Sequence, residues 1–152
     1  MRFIIAGLLT LTLGAAADAG TFLLVCTQNN DLLQLLESNK TPCHRYNSTE
    51  AAMQAATAGD AMLILADGYP GKTTAVDPSL LDQAAKKKLR LYIEYPSALP
   101  GFELGRPVGT HVERVVANSD FFGERLPKLR LASVSGLHYV PADAKSAHLV
   151  AA

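Results

Sequence analysis

Two kinds of hydrophobic pattern alternate along this chain. Thr21–Thr27, Ala61–Ala66 and Arg90–Tyr95 are short runs, largely apolar, bounded by turn-forming residues. Runs of that length, without strict apolar–polar alternation, suit strands covered on both faces, as in a parallel sheet. Between them the spacing changes to the helical one. Leu32, Leu33, Leu35 and Leu36 recur on one helical face, with Asn30 or Asp31 as the cap and Pro42 as the stop. Cys43–Tyr46 reads as a short second strand. Asn47-Ser48-Thr49-Glu50 resembles a capping box with Asn in first place, and the Ala-rich helix after it is expected to end at Gly59. Asp77-Pro78 supplies a cap and a first-turn proline for a third helix running to about Lys88.

Strand, helix, strand, helix, strand, helix, strand at this spacing predicts an α/β fold: a three-layer, mainly parallel, flavodoxin-like sheet with helices on both faces. The pattern changes after Pro96. Pro96–Gly109 is rich in Pro and Gly and reads as a long ordered loop. His111–Ala117 and Leu129–Val140 read as strands, the second bent at Ser135-Gly136, which together predict a β extension near the C-terminus.

The first residues follow a different logic. Met1-Arg2 is a short basic start, Phe3–Leu13 is apolar, and Ala17-Asp18-Ala19 fits the small-x-small site of signal peptidase. Residues 1–19 therefore read as a cleaved secretory signal, too short for a membrane span of about 20 residues, and 20–152 as one α/β domain placed in the periplasm or outside the cell. No second long apolar run follows, so no membrane association is expected after cleavage. His148–Ala152 is an apolar ending without polar taper, from which a longer native chain is expected.

Charge narrows the partners. The chain has 14 basic and 14 acidic residues, and nucleic-acid binding, which needs concentrated positive charge, is not expected. Lys86-Lys87-Lys88 with Arg90 falls at the end of the third helix, where cations face the negative end of the helix dipole. Export permits a disulfide, yet parallel pairing separates Cys26, late in the first strand, from Cys43, at the start of the second. An offset of about five residues, roughly 16 Å, predicts two unbridged thiols.

In open α/β sheets ligands bind beyond the carboxyl ends of the strands. That rule selects Gln28-Asn29-Asn30, Asn47-Ser48, Asp67-Gly68-Tyr69 and Glu94-Tyr95-Pro96-Ser97. The candidate ligand-binding residues are thus Asn29, Asn47, Asp67, Tyr69 and Glu94. With strand order 2-1-3-4, Asp67 and Glu94 lie on adjacent strands. Such a pair can divide acid and base roles, bind a cation, or simply serve turn chemistry and surface pairing. Tyr69, Tyr92, Tyr95, Phe121 and Phe122 could line a sugar-binding surface or pack in the core. No glycine-rich phosphate cradle follows the first strand and no Gly-x-Ser-x-Gly elbow occurs. His44, His111, His138 and His148 have no metal-ligand spacing. No cofactor or metal is expected.

Ala61–Pro70 followed by Leu91–Pro96 resembles class I glutamine amidotransferase-like domains of secreted bacterial proteins. Asn118–Gly123 with Leu129–Val140 is similar to the N-terminal part of large exported polysaccharide-processing proteins. The resemblance implies a flavodoxin-like fold and a carbohydrate-associated setting. It does not imply amidotransferase activity, because the glycine-flanked cysteine nucleophile of that family is replaced by Asp67-Gly68-Tyr69 and Cys26 sits on a different strand. Two readings follow. In the first, the chain is a non-catalytic module supporting a carbohydrate-active protein, its catalytic domain lying beyond Ala152. In the second it is a small secreted hydrolase or sugar-binding domain using Asp67 and Glu94, with Pro96–Gly109 as a lid.

Overall fold

The computed structural model describes residues 20–111, 113–143 and 149–151. The proposed signal segment lies outside them, as do His148 and Ala152 of the apolar ending. Four parallel strands form the central sheet: β1 (Phe22–Val25), β2 (Cys43–Tyr46), β3 (Ala61–Ile64) and β4 (Arg90–Ile93), in the order β2-β1-β3-β4. Helices α1 (Asp31–Ser38), α2 (Thr49–Ala55) and α3 (Pro78–Lys86) connect them. The fold is α/β, and the order is the one that sets Asp67 beside Glu94.

Leu23 and Leu24 explain why β1 reads as an unbroken apolar run. Successive strand side chains leave on opposite faces. Leu23 joins Met62 and Ile64 of β3 in a cluster with Ala52 and Met53 of α2 and Leu80 and Ala84 of α3. Leu24 joins Cys26 and Leu65 in a second cluster with Leu33 of α1. Leu24 and Met62 are fully buried, each worth roughly 1.5–3 kcal/mol of transfer free energy.

The helix ends follow their side chains. Asn30 caps α1, its Oδ1 accepting from the N–H groups of Leu32 and Leu33. Asp77 caps α3, accepting from Ser79 N–H. At α2 the structure corrects the capping-box reading. Ser48 is the cap, its Oγ accepting from Ala51 N–H, and α2 closes at Ala56 rather than Gly59. Gly59, at φ +91°, serves the following turn. Lys87 has a role that the charge run did not indicate. Its Nζ donates to the carbonyls of Met53 and Ala56, at 2.6 and 3.0 Å. It thereby closes the C-terminal end of α2, a neighbouring helix, where backbone carbonyls lack partners.

Beyond β4 the chain forms small antiparallel sheets. β5 (Val108–Gly109) pairs with β8 (His138–Tyr139), and β6 (Glu113–Ala117) lies between β7 (Leu131–Val134) and β9 (Leu149–Ala151). A short 3-10 helix, Asp120–Arg125, precedes β7. The single bent strand expected over Leu129–Val140 is therefore two strands in different sheets. They part at Gly136, whose φ of +66° suits glycine.

Candidate functional site

Where parallel strands separate, their last backbone N–H groups lose their ladder partners and need other acceptors. Two carboxylates fill that need here. The N–H of Thr27, just past β1, lies 2.9 Å from both Oδ1 and Oδ2 of Asp67, just past β3. Thr27 Oγ1 donates to the same Oδ1 at 3.0 Å. The N–H of Ala66 donates to Glu94 Oε2 at 2.8 Å. Asp67 thus clasps β1 to the β3 loop, and Glu94 clasps that loop to β4.

The loop after β3 is wound tightly. Asp67 N–H donates to Leu65 O, Tyr69 N–H to Ala66 O and Lys72 N–H to Gly68 O. A Cβ on Gly68 would lie 2.9 Å from that of Lys72, so the turn needs a residue without a side chain. Thr74 N–H donates to Tyr95 O and Ser97 N–H to Thr74 O, which lays the end of the loop along the exit of β4. There Tyr95 takes φ +49° and is buried, its ring edge-on to Tyr69 with centroids 5.1 Å apart. A bulky residue at positive φ is an uncommon, strained conformation, and here it turns the chain beneath the site.

These elements enclose an open cavity of about 310 Å³ lined by Thr27, Asn29, Asn30, Asp31, Ala66, Asp67, Tyr69 and Glu94. Four of the five candidate residues meet there: Asn29, Asp67, Tyr69 and Glu94. Asn47 does not line it. Its Oδ1 accepts from Arg45 Nη1 at 2.6 Å, and the same nitrogen donates to Cys26 O. The reason is topological: β2 is an edge strand, separated from β3 by β1, so its loop opens away from the β3–β4 crevice. Thr27, Asp31 and Ala66 lie outside the loops that the strand-end rule selects, and Asn30, inside one of them, was expected only as a helix cap. The signal for them was the end of β1 and the first turn of α1, the same strand-end rule carried a residue further in each direction.

The cavity is acidic, with Asp31, Asp67 and Glu94 but no basic side chain among its lining residues. Asp31 occupies the first turn of α1, where negative charge is favourable, and its Oδ1 accepts from Leu32 N–H. Among the described residues no group of three or more His, Cys, Asp or Glu could hold a metal ion. Of the aromatic candidates only Tyr69 lines the cavity. Tyr95 packs against the Tyr69 ring, while Tyr92, Phe121 and Phe122 are exposed elsewhere.

Cys26 and Cys43 are both free. Phe22 is level with Cys43, so Cys26 lies one strand over and four residues on, about 13 Å along the strand and beyond bridging reach. Burial, then the charge of Asp67, pushes the Cys26 thiol up from its ordinary pKa; burial pushes Cys43 up as well. A thiol held protonated in this way is a poor nucleophile near neutral pH.

The arrangement can bind a polar ligand through carboxylate, amide, hydroxyl and phenol groups. No family model, curated protein or solved structure matches the chain. Among the described residues, no helix is long and apolar enough to cross a membrane.

Proposed function

We propose that the chain is an exported, non-catalytic α/β module that binds a polar carbohydrate at the carboxyl edge of its parallel sheet and serves a carbohydrate-active protein. The observation that carries this reading is the occupation of the two carboxylates. Both oxygens of Asp67 receive the Thr27 N–H, and Glu94 Oε2 receives the Ala66 N–H. Carboxylates engaged in holding strand ends together are poorly placed to shuttle protons, because each transfer would break a clasp. A hydroxyl-rich ligand, by contrast, can use their remaining acceptor capacity together with Asn29 and the Tyr69 ring.

The finer architecture belongs to the same proposal. Helix α1 packs against Leu24 while α2 and α3 pack against Leu23. This supports a three-layer, flavodoxin-like arrangement, and the strands from Val108 onward support a β extension of it. The basic, apolar and small-residue sequence of residues 1–19 supports export to the periplasm or beyond. The carbohydrate setting is part of the same proposal and rests on the resemblance read from Ala61–Pro70 with Leu91–Pro96 and from Asn118–Gly123 with Leu129–Val140.

Calorimetric titration with chitotriose, maltotriose and digalacturonate tests the reading, with release of reducing ends followed in parallel. Binding without turnover is expected, with weaker binding by Asn29→Ala and Glu94→Gln at unchanged folding. Hydrolysis that Glu94→Gln abolishes would replace this reading with the enzymatic one. Absence of binding across the panel would remove the carbohydrate assignment.

A further inference from the structure

Tyr69 belongs to two structures at once. Its side chain lines the cavity, and its hydroxyl reaches strand β8, donating to His138 O at 3.2 Å and accepting from His138 N–H. One phenol thereby engages both backbone polar groups of one residue. The rings of Tyr69 and His138 also meet edge-on, with centroids 6.1 Å apart. Among the described residues, the hydrogen bonds joining the β5–β8 sheet to the parallel-sheet unit are these two.

The β5–β8 sheet is otherwise tied to its own flanks. Gly105 N–H donates to Pro141 O, Thr110 N–H to Leu137 O, and Leu137 N–H to Thr110 Oγ1. Gly109 packs under the His138 ring so closely that a Cβ there would lie 3.0 Å from Nε2. Those contacts, with the Leu104–Ala142 bridge, tie residues 104–110 to residues 137–142. Tyr69 then decides whether they move with the cavity wall or apart from it.

We propose that β8 is a strap on the cavity. By fixing the Tyr69 hydroxyl it sets the position of the cavity's aromatic wall, so that docking of the β5–β8 sheet and the shape of the cavity are one equilibrium. Tyr69 is held on one side by Tyr95, buried at its positive-φ turn, and on the other by the β8 backbone. Releasing the second restraint leaves the side chain, already 40% exposed, free to change rotamer. Because such coupling is reciprocal, a ligand that needs the wall in place also secures the strap. This consequence for binding rests on the proposed carbohydrate site, whereas the coupling itself can be measured without any ligand.

The experiment compares wild type with Tyr69→Phe and Gly109→Val by amide hydrogen exchange and by backbone amide chemical shifts. Tyr69→Phe removes the hydroxyl while keeping the ring. Gly109→Val is outside the cavity and displaces the His138 ring from beneath. Loss of one hydrogen-bond partner corresponds to about a tenfold change in a local opening equilibrium. Tyr69→Phe is therefore expected to speed exchange of the His138 and Thr110 amides about tenfold and to leave the β6–β7 amides unchanged. Gly109→Val is expected to shift the amide resonances of Asp67, Gly68 and Tyr69 across the strap. Unchanged exchange at His138 in Tyr69→Phe, or unmoved Asp67–Tyr69 resonances in Gly109→Val, would overturn the proposal. A carbohydrate panel that fails to bind would count against the proposed function and leave both of these readouts intact.

Discussion

The two ends of the parallel sheet use the same device and come out differently. At the amino end, Asp60 stands just before β3 and accepts from the N–H of Thr21, just before β1, at 2.9 Å. At the carboxyl end, Asp67 stands just after β3 and accepts from the N–H of Thr27, just after β1, at 2.9 Å. Asp60 is buried, with Oδ2 taken by the N–H and the hydroxyl of Thr57. Gly20 lies so near Gly59 there that a Cβ on Gly20 would fall 2.3 Å from Gly59 O. Asp67 is exposed and looks into a cavity. One clasp is closed and the other open. An acidic residue at a strand end is therefore not in itself a sign of chemistry, and what surrounds the carboxylate decides what it does.

The largest expected effect is on the closed clasp. Asp60→Ala leaves the Thr21 and Thr57 N–H groups without their acceptors in a site that water enters poorly, and should cost roughly 2–3 kcal/mol in urea unfolding. Asp67→Ala should cost about 1 kcal/mol, because water can replace the carboxylate at an exposed site. Equal costs would break the contrast between the two ends.

Acid sharpens the same contrast. Hydrogen bonds from the backbone and side chain of Thr57, and then from Thr21, hold the Asp60 carboxyl below its ordinary pKa against the opposing effect of burial. A depressed folded-state pKa gives stability that is present above the unfolded value, about 3.9 for Asp. That stability is lost as pH falls through the folded value. Glu50 and Asp77 lie low too, held by hydrogen bonds at helix starts, so wild type needs a reference. Urea midpoints from pH 6 to pH 2 should fall more steeply for wild type than for Asp60→Asn, and the two curves should converge at the acid end. Parallel curves would mean that Asp60 titrates alike in folded and unfolded chains.

Much of the central sheet was legible because its signals are local. Leu23 and Leu24 must both be buried, so β1 reads as a continuous apolar run, and Asn30 and Asp77 cap their helices as short polar residues do. Strand ends were less legible. Thr27, Ala66 and Tyr95 continue the apolar, aromatic or β-branched texture, yet pairing stops at Val25, Ile64 and Ile93. It stops because side-chain carboxylates take over from the ladder, a long-range exchange that periodicity does not record. The same holds for the site. The strand-end rule found Asn29, Asp67, Tyr69 and Glu94, and it included Asn47 because the rule says nothing of how far an edge strand lies from the crevice. Asp60 was missed as a structural centre. Thr57 is only three residues away in the same turn, but Thr21 is 39 residues away and only the fold brings it to the same carboxylate. The Tyr69–His138 contact spans 69 residues and has no sequence signature.

A smaller effect concerns the thiols. Cys26 is buried in the α1 cluster and feels Asp67, while Cys43 is half-buried. Iodoacetamide at pH 8 should label Cys43 well before Cys26 in the folded protein, and both at once in urea. Earlier labelling of Cys26 would show that the carboxyl end of β1 is more open than the cavity implies. A linked peptide pair in the unreduced protein would contradict the β1–β2 register.

The central claim is that the open end of the sheet is the binding end. Amide chemical-shift mapping of the ¹⁵N-labelled protein during titration with chitotriose tests it directly. The expected result is saturable shifts at Thr27, Asn29, Asp67, Tyr69 and Glu94, with Thr21, Thr57 and Asp60 at the closed end unmoved. Shifts confined to the closed end, or none at any residue, would contradict it.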